Sequence, residues 1–389
     1  MNYFIRTPIL FLTLLTLASV AQAQTEESGT ISKNVDPSTI IPITVSGFSG
    51  EVDITLKFDL EVMGCVLVDE QKSLYTVSGT YNGRLEGFLN STKGKSRIFG
   101  KAYSGNSPRT EAHAFADDII QALRNIKGIA QTRMAFKFER GPVREIFMGD
   151  YDGHNLVQIT HDQSNANAPT WGPGQHSIFY CSYKQNYPAI YSQELSSGKR
   201  AMVAGFGGSN ISPAVSSNGR VAMILSKGGS PNLYISDASG GNLKQLTNTR
   251  EGESCPCWSP DGRTICFVSR SSGRAALYTI PAAGGQMQRL STAGVLNATE
   301  PDWSPDGKYI VFTSQMGSFQ ICVIPAAGGE AKVLTEGQDP SWAPNSRTVL
   351  YVKGLERGNG RLSLLDVPTK RTKDWPSLSG SASQPAWAR

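Results

Sequence analysis

The chain runs to 389 residues, more than one average core requires, which leaves one large repeat domain or two domains. Its net charge is +5 and its only dense basic run is Lys370-Arg371-Thr372-Lys373, so a nucleic-acid partner, which needs cations gathered on one face or helix, is not expected. Glycine supplies 40 residues, a sign of many tight turns.

Arg6 precedes an apolar run from Ile9 to Val20, and Ala21-Gln22-Ala23 follows. A charged start, a short apolar stretch and a small-x-small site read as a secretory signal peptide over residues 1–23. The run is short for a bilayer span and no later segment is longer, so the mature chain is expected to carry no integral membrane segment. Export would place a soluble protein, beginning near Gln24, in the periplasm. Residues 24–34, QTEESGTISKN, are polar and unpatterned and read as a flexible tail.

Residues 35–130 read as a small α+β domain. Ile41 to Val45, Leu74 to Gly79, Leu85 to Leu89 and Arg97 to Tyr103 have strand character. Arg109 to Ile126 reads as a helix with Phe115, Ile119, Ile120 and Leu123 on its apolar face and Gly128 just past its end. Between them Val52, Ile54, Leu56, Phe58, Leu60 and Val62 alternate strictly, which by pattern alone says strand.

From residue 131 onward the chain repeats itself. Trp258 to Gly262 reads WSPDG, and Trp303 to Gly307 reads WSPDG again. Related words sit around Trp171, Val215, Trp342 and Trp387, each with Pro two residues before the anchor, and the anchors are spaced 44, 43, 45, 39 and 45 residues apart. A period of 40 to 45 residues with turn residues at fixed offsets is the mark of a radially repeated β-structure. Each unit reads as four short strands. In the copy at Trp303 these are Pro301 to Ser304, Tyr309 to Ser314, Phe319 to Ile324 and Ala331 to Thr335. In the turn, Pro pre-sets the backbone, Asp suits the next position and Gly tolerates the exit. The anchor Trp is expected to fill the gap between neighbouring blades.

The final unit stops after Pro385-Ala-Trp-Ala-Arg389, which supplies a first strand alone. Met134 to Phe138, Arg144 to Met148 and Leu156 to Thr160 match a second, third and fourth strand. The two ends are therefore expected to share one blade, which removes the open edges of a linear stack. The expected fold is a small α+β N-terminal domain followed by an all-β six-bladed propeller over residues 131–389, closed by a C-terminal strand in the blade begun near residue 134.

Of the cysteines, Cys65, Cys181, Cys266 and Cys322 read as small core hydrophobes. In a two-residue hairpin centred on Pro260-Asp261, Cys255 would lie opposite Cys266, so one cross-strand bridge is conceivable.

Three stretches at the junction are specific: Ala112-His-Ala-Phe-Ala-Asp-Asp-Ile-Ile-Gln-Ala-Leu123, Gly128-Ile-Ala-Gln-Thr-Arg133 and Asp150-Tyr-Asp-Gly153. Together with the P-x-W and WSPDG units, and over about residues 40–389, this chain resembles the TolB family, periplasmic components of the Tol-Pal system. The resemblance implies a helix over 52–62. It also implies that a peptidoglycan-associated outer-membrane lipoprotein (Pal) docks at the propeller mouth. An inner-membrane-anchored TolA-like protein would meet the N-terminal region, with Gln24, Thr25, Glu26 and Glu27 of the tail as contacts. The implied role is regulated protein association that tethers the outer membrane during envelope constriction, by a monomer without cofactors.

An enzyme is the competing class. Propellers of this kind gate prolyl-oligopeptidase-like hydrolases, but those need a further α/β domain, and no G-x-S-x-G nucleophile elbow occurs here. Gly380-Ser-Ala-Ser383 lacks the second Gly. His113, His154, His161 and His176 have no metal-binding spacing, and Asp150-Tyr-Asp-Gly153 reads as a turn rather than a cation loop. A propeller-type hydrolase and a sugar- or peptide-binding protein stay open as alternatives.

The repeat also tells where binding would occur. The loops before the first strands share a face with the second-to-third-strand loops, and the Pro-Asp-Gly turns lie opposite. The first face carries varied polar residues at the entry to the innermost strands, where they should ring the channel mouth. They are Asn165, Asn167, Ser209, Asn210, Ser212, Glu253, Ser254, Thr299, Glu300, Gln338, Asp339 and Gln384.

Overall fold

The computed structural model describes residues 39–389 except 356 and 357. The signal peptide and tail expected over residues 1–34, with Gln24 to Glu27, lie outside the described residues.

The N-terminal domain is one five-stranded sheet carrying two helices. Its elements are β1 (Ile41–Ser46), α1 (Gly50–Val62), β2 (Cys65–Leu67), β3 (Tyr75–Tyr81), β4 (Leu85–Ser91), β5 (Ser96–Tyr103) and α2 (Pro108–Arg124), with strand order β2-β1-β3-β4-β5. Helix α2 starts at Ser107, whose hydroxyl accepts the Thr110 N–H, has Pro at its first position, and ends at Asn125 in the left-handed region. Phe115 is fully buried where the sheet has Gly87, because any side chain there would collide with the ring.

The alternation over 52–62 does not make a strand. Helix α1 buries Val52, Thr55, Leu56, Asp59, Leu60 and Val62, and leaves Ile54 67 % exposed. The buried stripe has helical spacing, but two of its members are polar, so apolarity alone shows the wrong period.

Residues from Arg133 onward form six four-stranded blades. The innermost strands of blades one to five are Ala166–Trp171, Asn210–Val215, Glu253–Trp258, Ala298–Trp303 and Gln338–Trp342. In blade six, Ser381–Trp387 pairs with Arg133–Arg140, which pairs in turn with Val143–Asp150 and Val157–Gln158. Both ends of the propeller sequence thus close the ring within one sheet. Each anchor Trp is buried in a cluster drawn from two neighbouring blades: Trp258, for example, packs with Ile224 and Leu233 of blade two and with Ile265 and Phe267 of its own. Its indole N–H donates to Ala214 O across the blade boundary at 3.0 Å.

The WSPDG words form the expected turn with a different register. Gly262 N donates to Ser259 O at 2.8 Å with Pro260 and Asp261 between them, and Gly262 adopts φ +67°, which suits glycine. The hairpin then closes two residues further on, with Ser259 N donating to Thr264 O at 2.9 Å. Cys266 therefore lies opposite Cys257 rather than Cys255, and all six cysteines are free thiols.

Candidate functional site

The two ends of the propeller differ because the N-terminal domain packs against the turn face at blades five and six. Tyr151 and Asp152, in the tight Asp150–Gly153 turn of blade six, reach into the helices of the small domain. The Tyr151 hydroxyl donates to Asp59 of α1, and His113 of α2 donates through Nδ1 to the other Asp59 oxygen at 2.8 Å. His113 Nε2 lies 3.3 Å from Asp152, which also pairs with Arg109. Burial opposes charge on His113, but the Asp59 and Asp152 carboxylates outweigh it and raise its pKa to about 10. Burial alone would raise Asp152, yet hydrogen bonding and attraction from His113, and then Arg109, hold it at about 2. Asp117 accepts the Ala130 N–H at 2.8 Å, beside Gly128, where a side chain would strike the carboxylate. The junction wording singled out in the sequence is thus the interdomain seal.

The mouth face is uncovered by the described domain. A cavity of about 510 Å³ runs along the propeller axis, lined from the middle of each innermost strand to its turn-face end, as from Ala168 to Gly174 and from Cys255 to Pro260. In every blade one residue there has φ between 47° and 54°: Ala168, Ser212, Cys255, Glu300, Asp339 and Gln384. Each immediately precedes the Pro of its P-x-W word (Pro213-Ala-Val215 in blade two) and falls at a register shift in the innermost strand. The bulge leaves the next position out of the ladder, where a residue without an N–H costs nothing, which explains the recurring Pro. Left-handed backbone on non-glycine residues before proline is strained, and strain of this kind collects at binding sites.

Half of this ring is laced together. Asp339 N donates to Glu300 Oε2 at 3.0 Å, Gln384 N to Asp339 Oδ2 at 2.8 Å, and Ala168 N to Gln384 Oε1 at 3.0 Å. Each side chain thereby caps the strained residue of the next blade. Burial, and then repulsion from Glu300, push the Asp339 carboxyl up to about 8, so Asp339 keeps its proton at neutral pH. The other half, formed by Ala168, Ser212 and Cys255, has short side chains and leaves the cavity wide. On the far side of the cavity the C-terminal Arg389 donates to Trp342 O at 3.1 Å and Trp303 O at 3.0 Å and pairs with Asp302, pinning blades four and five.

Of the residues expected at the mouth, Ser212, Glu300, Asp339 and Gln384 line this cavity, and all four hold the strained position. Asn210 and Glu253 are buried against their own loops instead: the Asn210 amide donates to Phe206 O, and Glu253 accepts the Thr249 hydroxyl. Asn165, Asn167, Ser209, Ser254, Thr299 and Gln338 are half-buried and do not line the cavity. Ala168 and Cys255 belong to the ring and escaped sequence reasoning because neither is conspicuously polar; the residue directly before each P-x-W would have found them. His154 turns to Asp152 at 3.5 Å, and His161 is exposed in a loop. Among the described residues no three His, Cys, Asp or Glu side chains are grouped to hold a metal ion, and no helix is long and apolar enough to cross a membrane.

A family profile described as the TolB beta propeller domain matches residues 120–389. The Tol-Pal system protein TolB of Bordetella pertussis is 31% identical over 316 residues, covering 79% of this chain and 72% of that one. The same protein of Bordetella bronchiseptica is 31% identical, with 71% of its length covered. The crystal structure of TolB from Acinetobacter baumannii superimposes with a TM-score of 0.81 at 22% identity, covering 90% of this chain and 97% of that chain, a likeness of fold. By its matched propeller and its identity to these relatives, the chain belongs to the TolB family.

Proposed function

We propose that this protein is a non-enzymatic periplasmic interaction module of the Tol-Pal system that captures a peptidoglycan-associated outer-membrane lipoprotein at the propeller mouth. Its N-terminal region would engage a TolA-like inner-membrane protein, and the assembly would support outer-membrane integrity and constriction during division. The observation that carries this reading is the asymmetry of the two faces. The turn face carries the N-terminal domain, held by buried charge at blade six, while toward the mouth the axial cavity ends in a ring of strained residues, one from each of the six blades. A rigid frame that holds such a ring in place provides loops from several blades for one partner surface.

The test is affinity capture from solubilised envelope with the tagged mature chain and its Ser212→Arg variant. Ser212 lies in the wide half of the cavity, and an arginine there fills it without disturbing the laced half. Capture of a small lipoprotein by the parent, and its loss in the variant at unchanged melting temperature, is the expected result. Equal capture by both would overturn the placement at the mouth.

A further inference from the structure

The basic residues of this chain are scattered in sequence, but the fold gathers four of them on one arc of the mouth. Lys227 lies on the second-to-third-strand loop of blade two, and Arg270 and Arg274 lie on the same loop of blade three. Arg250 lies on the loop entering blade three, and all four side chains are exposed. The loops are knitted together: the Ser230 hydroxyl donates to Arg250 O at 3.1 Å, and Glu253 N donates to Pro231 O at 2.8 Å. Glu253 pairs with Ser269, which sets the 250–252 loop beside Arg270. None of the four cations forms an ion pair among the described residues, and Lys227 Nζ lies over the Phe206 ring, 4.5 Å from its centroid. The one exposed carboxylate in their midst, Glu251, is turned back onto the Arg250 backbone N–H at 3.2 Å.

The arc ends in an apolar step. Val295 packs with Val268 and Ala275 of blade three, which places the next residue, Leu296, beside the Arg270–Arg274 loop. Leu296 is 52% exposed and Met316 40% exposed. Their loops are tied by the Ser314 hydroxyl donating to Leu296 O at 2.7 Å. The strained residues of blades two and three, Ser212 and Cys255, lie in the wide half of the cavity, while Glu300 and Asp339 occupy the laced half.

We propose that this arc binds an extended acidic segment of a protein partner, with its carboxylates over blades two and three and an aliphatic side chain against Leu296 and Met316. The inference rests on the protein-binding reading of the mouth and adds the chemistry and orientation of what binds there. Cations at the rim steer a segment of opposite charge, and the opposite side of the mouth, with Glu300 and Asp339, offers no matching cations, so the charge asymmetry across the mouth fixes its direction. A membrane surface would demand a contiguous apolar patch, whereas Leu296 and Met316 sit at one end of the arc and Tyr187, 40% exposed, stands apart on the loop of blade one.

The experiment uses the mature chain and fluorescent peptides of about a dozen residues, alternating Glu, Ser or Lys with Leu, read by anisotropy. The Glu peptide is expected to bind at least about tenfold tighter than the Ser peptide and to weaken about tenfold between roughly 50 and 200 mM salt. Arg270→Glu with Arg274→Glu should reverse the preference toward the Lys peptide. The matched reversal Lys93→Glu with Lys95→Glu, on an exposed turn of the N-terminal domain, should leave it unchanged. Equal binding of Glu and Ser peptides, or equal loss in the two reversals, would overturn the proposal. Binding of heparin or anionic vesicles through Arg270 and Arg274 without binding of the Glu peptide would overturn it as well. Lipoprotein capture that survives Arg270→Glu with Arg274→Glu would sink the arc and leave the mouth reading standing. Capture lost by Ser212→Arg alone would have that same meaning.

Discussion

On the turn face, His113 stands between two carboxylates, and Arg109 and Tyr151 complete their coordination. On the mouth face, Glu300 and Asp339 approach each other with backbone N–H groups as their main partners. The first brings opposite charges together in a buried contact across a domain boundary, and the second brings two half-buried carboxyl groups together around a cavity. A buried charge without compensation is costly, so the first arrangement fixes a contact, whereas the second is held by the Asp339 proton and by the strands it caps. The propeller thus uses paired opposite charge for adhesion to the small domain and places a proton-holding carboxyl pair at the cavity.

Ring closure comes before either face, and breaking it should have the largest effect. Removing residues 385–389 takes away Trp387, which is 3% exposed, and the Arg389 contacts across blades four and five. Calorimetry should show a melting temperature lowered by well over about 10 °C or no cooperative transition, since loss of a buried Trp alone costs about 3–5 kcal/mol. An unchanged transition would refute the closure.

The seal is next. His113→Gln leaves Asp59 and Asp152 without their shared cation and should cost about 3–5 kcal/mol by urea unfolding. The wild-type seal also predicts a pH dependence. Because the folded pKa of His113 is raised from 6.5 to about 10, its stabilisation is fully present below 6.5 and is lost as pH rises toward 10. The urea midpoint should therefore fall between these limits, and His113→Gln should flatten that fall. A midpoint that rises over this window would contradict the seal.

The mouth pair should respond more gently. Asp339 has its folded pKa raised from 3.8 to about 8, so protonation favours the fold below that range and the advantage disappears as pH climbs through it. Asp339→Asn keeps an acceptor for the Gln384 N–H and removes the repulsion from Glu300. It is expected to match or exceed the parent by about 1 kcal/mol at pH 9 while changing little at pH 4. A loss of several kcal/mol at pH 9 would mean that the carboxylate is itself a required charge. At the smallest scale, Ile54→Thr on the exposed side of α1 should shift stability by no more than about 0.5 kcal/mol. Leu56→Ala on its buried side should cost about 2–5 kcal/mol. Equal costs would restore the strand-like reading of the alternation.

Much of the architecture was legible because a repeated unit exposes its own periodicity. The Trp anchors, the Pro-Asp-Gly turns and the division of blade six between the chain ends all follow from local chemistry recurring at a fixed interval. Helix α1 was obscured by Asp59, a polar residue in the buried stripe whose partners His113 and Tyr151 are 54 and 92 positions away. The Cys257–Cys266 pairing was missed because the turn holds two residues more than the minimal hairpin. At the mouth, polarity pointed to the right loops but chose too many residues, since Asn210 and Glu253 use their polar atoms to hold those loops.

The sequence by itself determined the blade count, the closure and the turn chemistry, because each depends on residues within one unit. Only the tertiary structure decided which carboxylates are paired and which are left facing a cavity. It alone showed that six scattered pre-proline residues share one strained conformation and that four unremarkable cations form one arc. The physical reason is that burial and charge pairing depend on distance in space, and in a closed ring the neighbours that set them come from other blades.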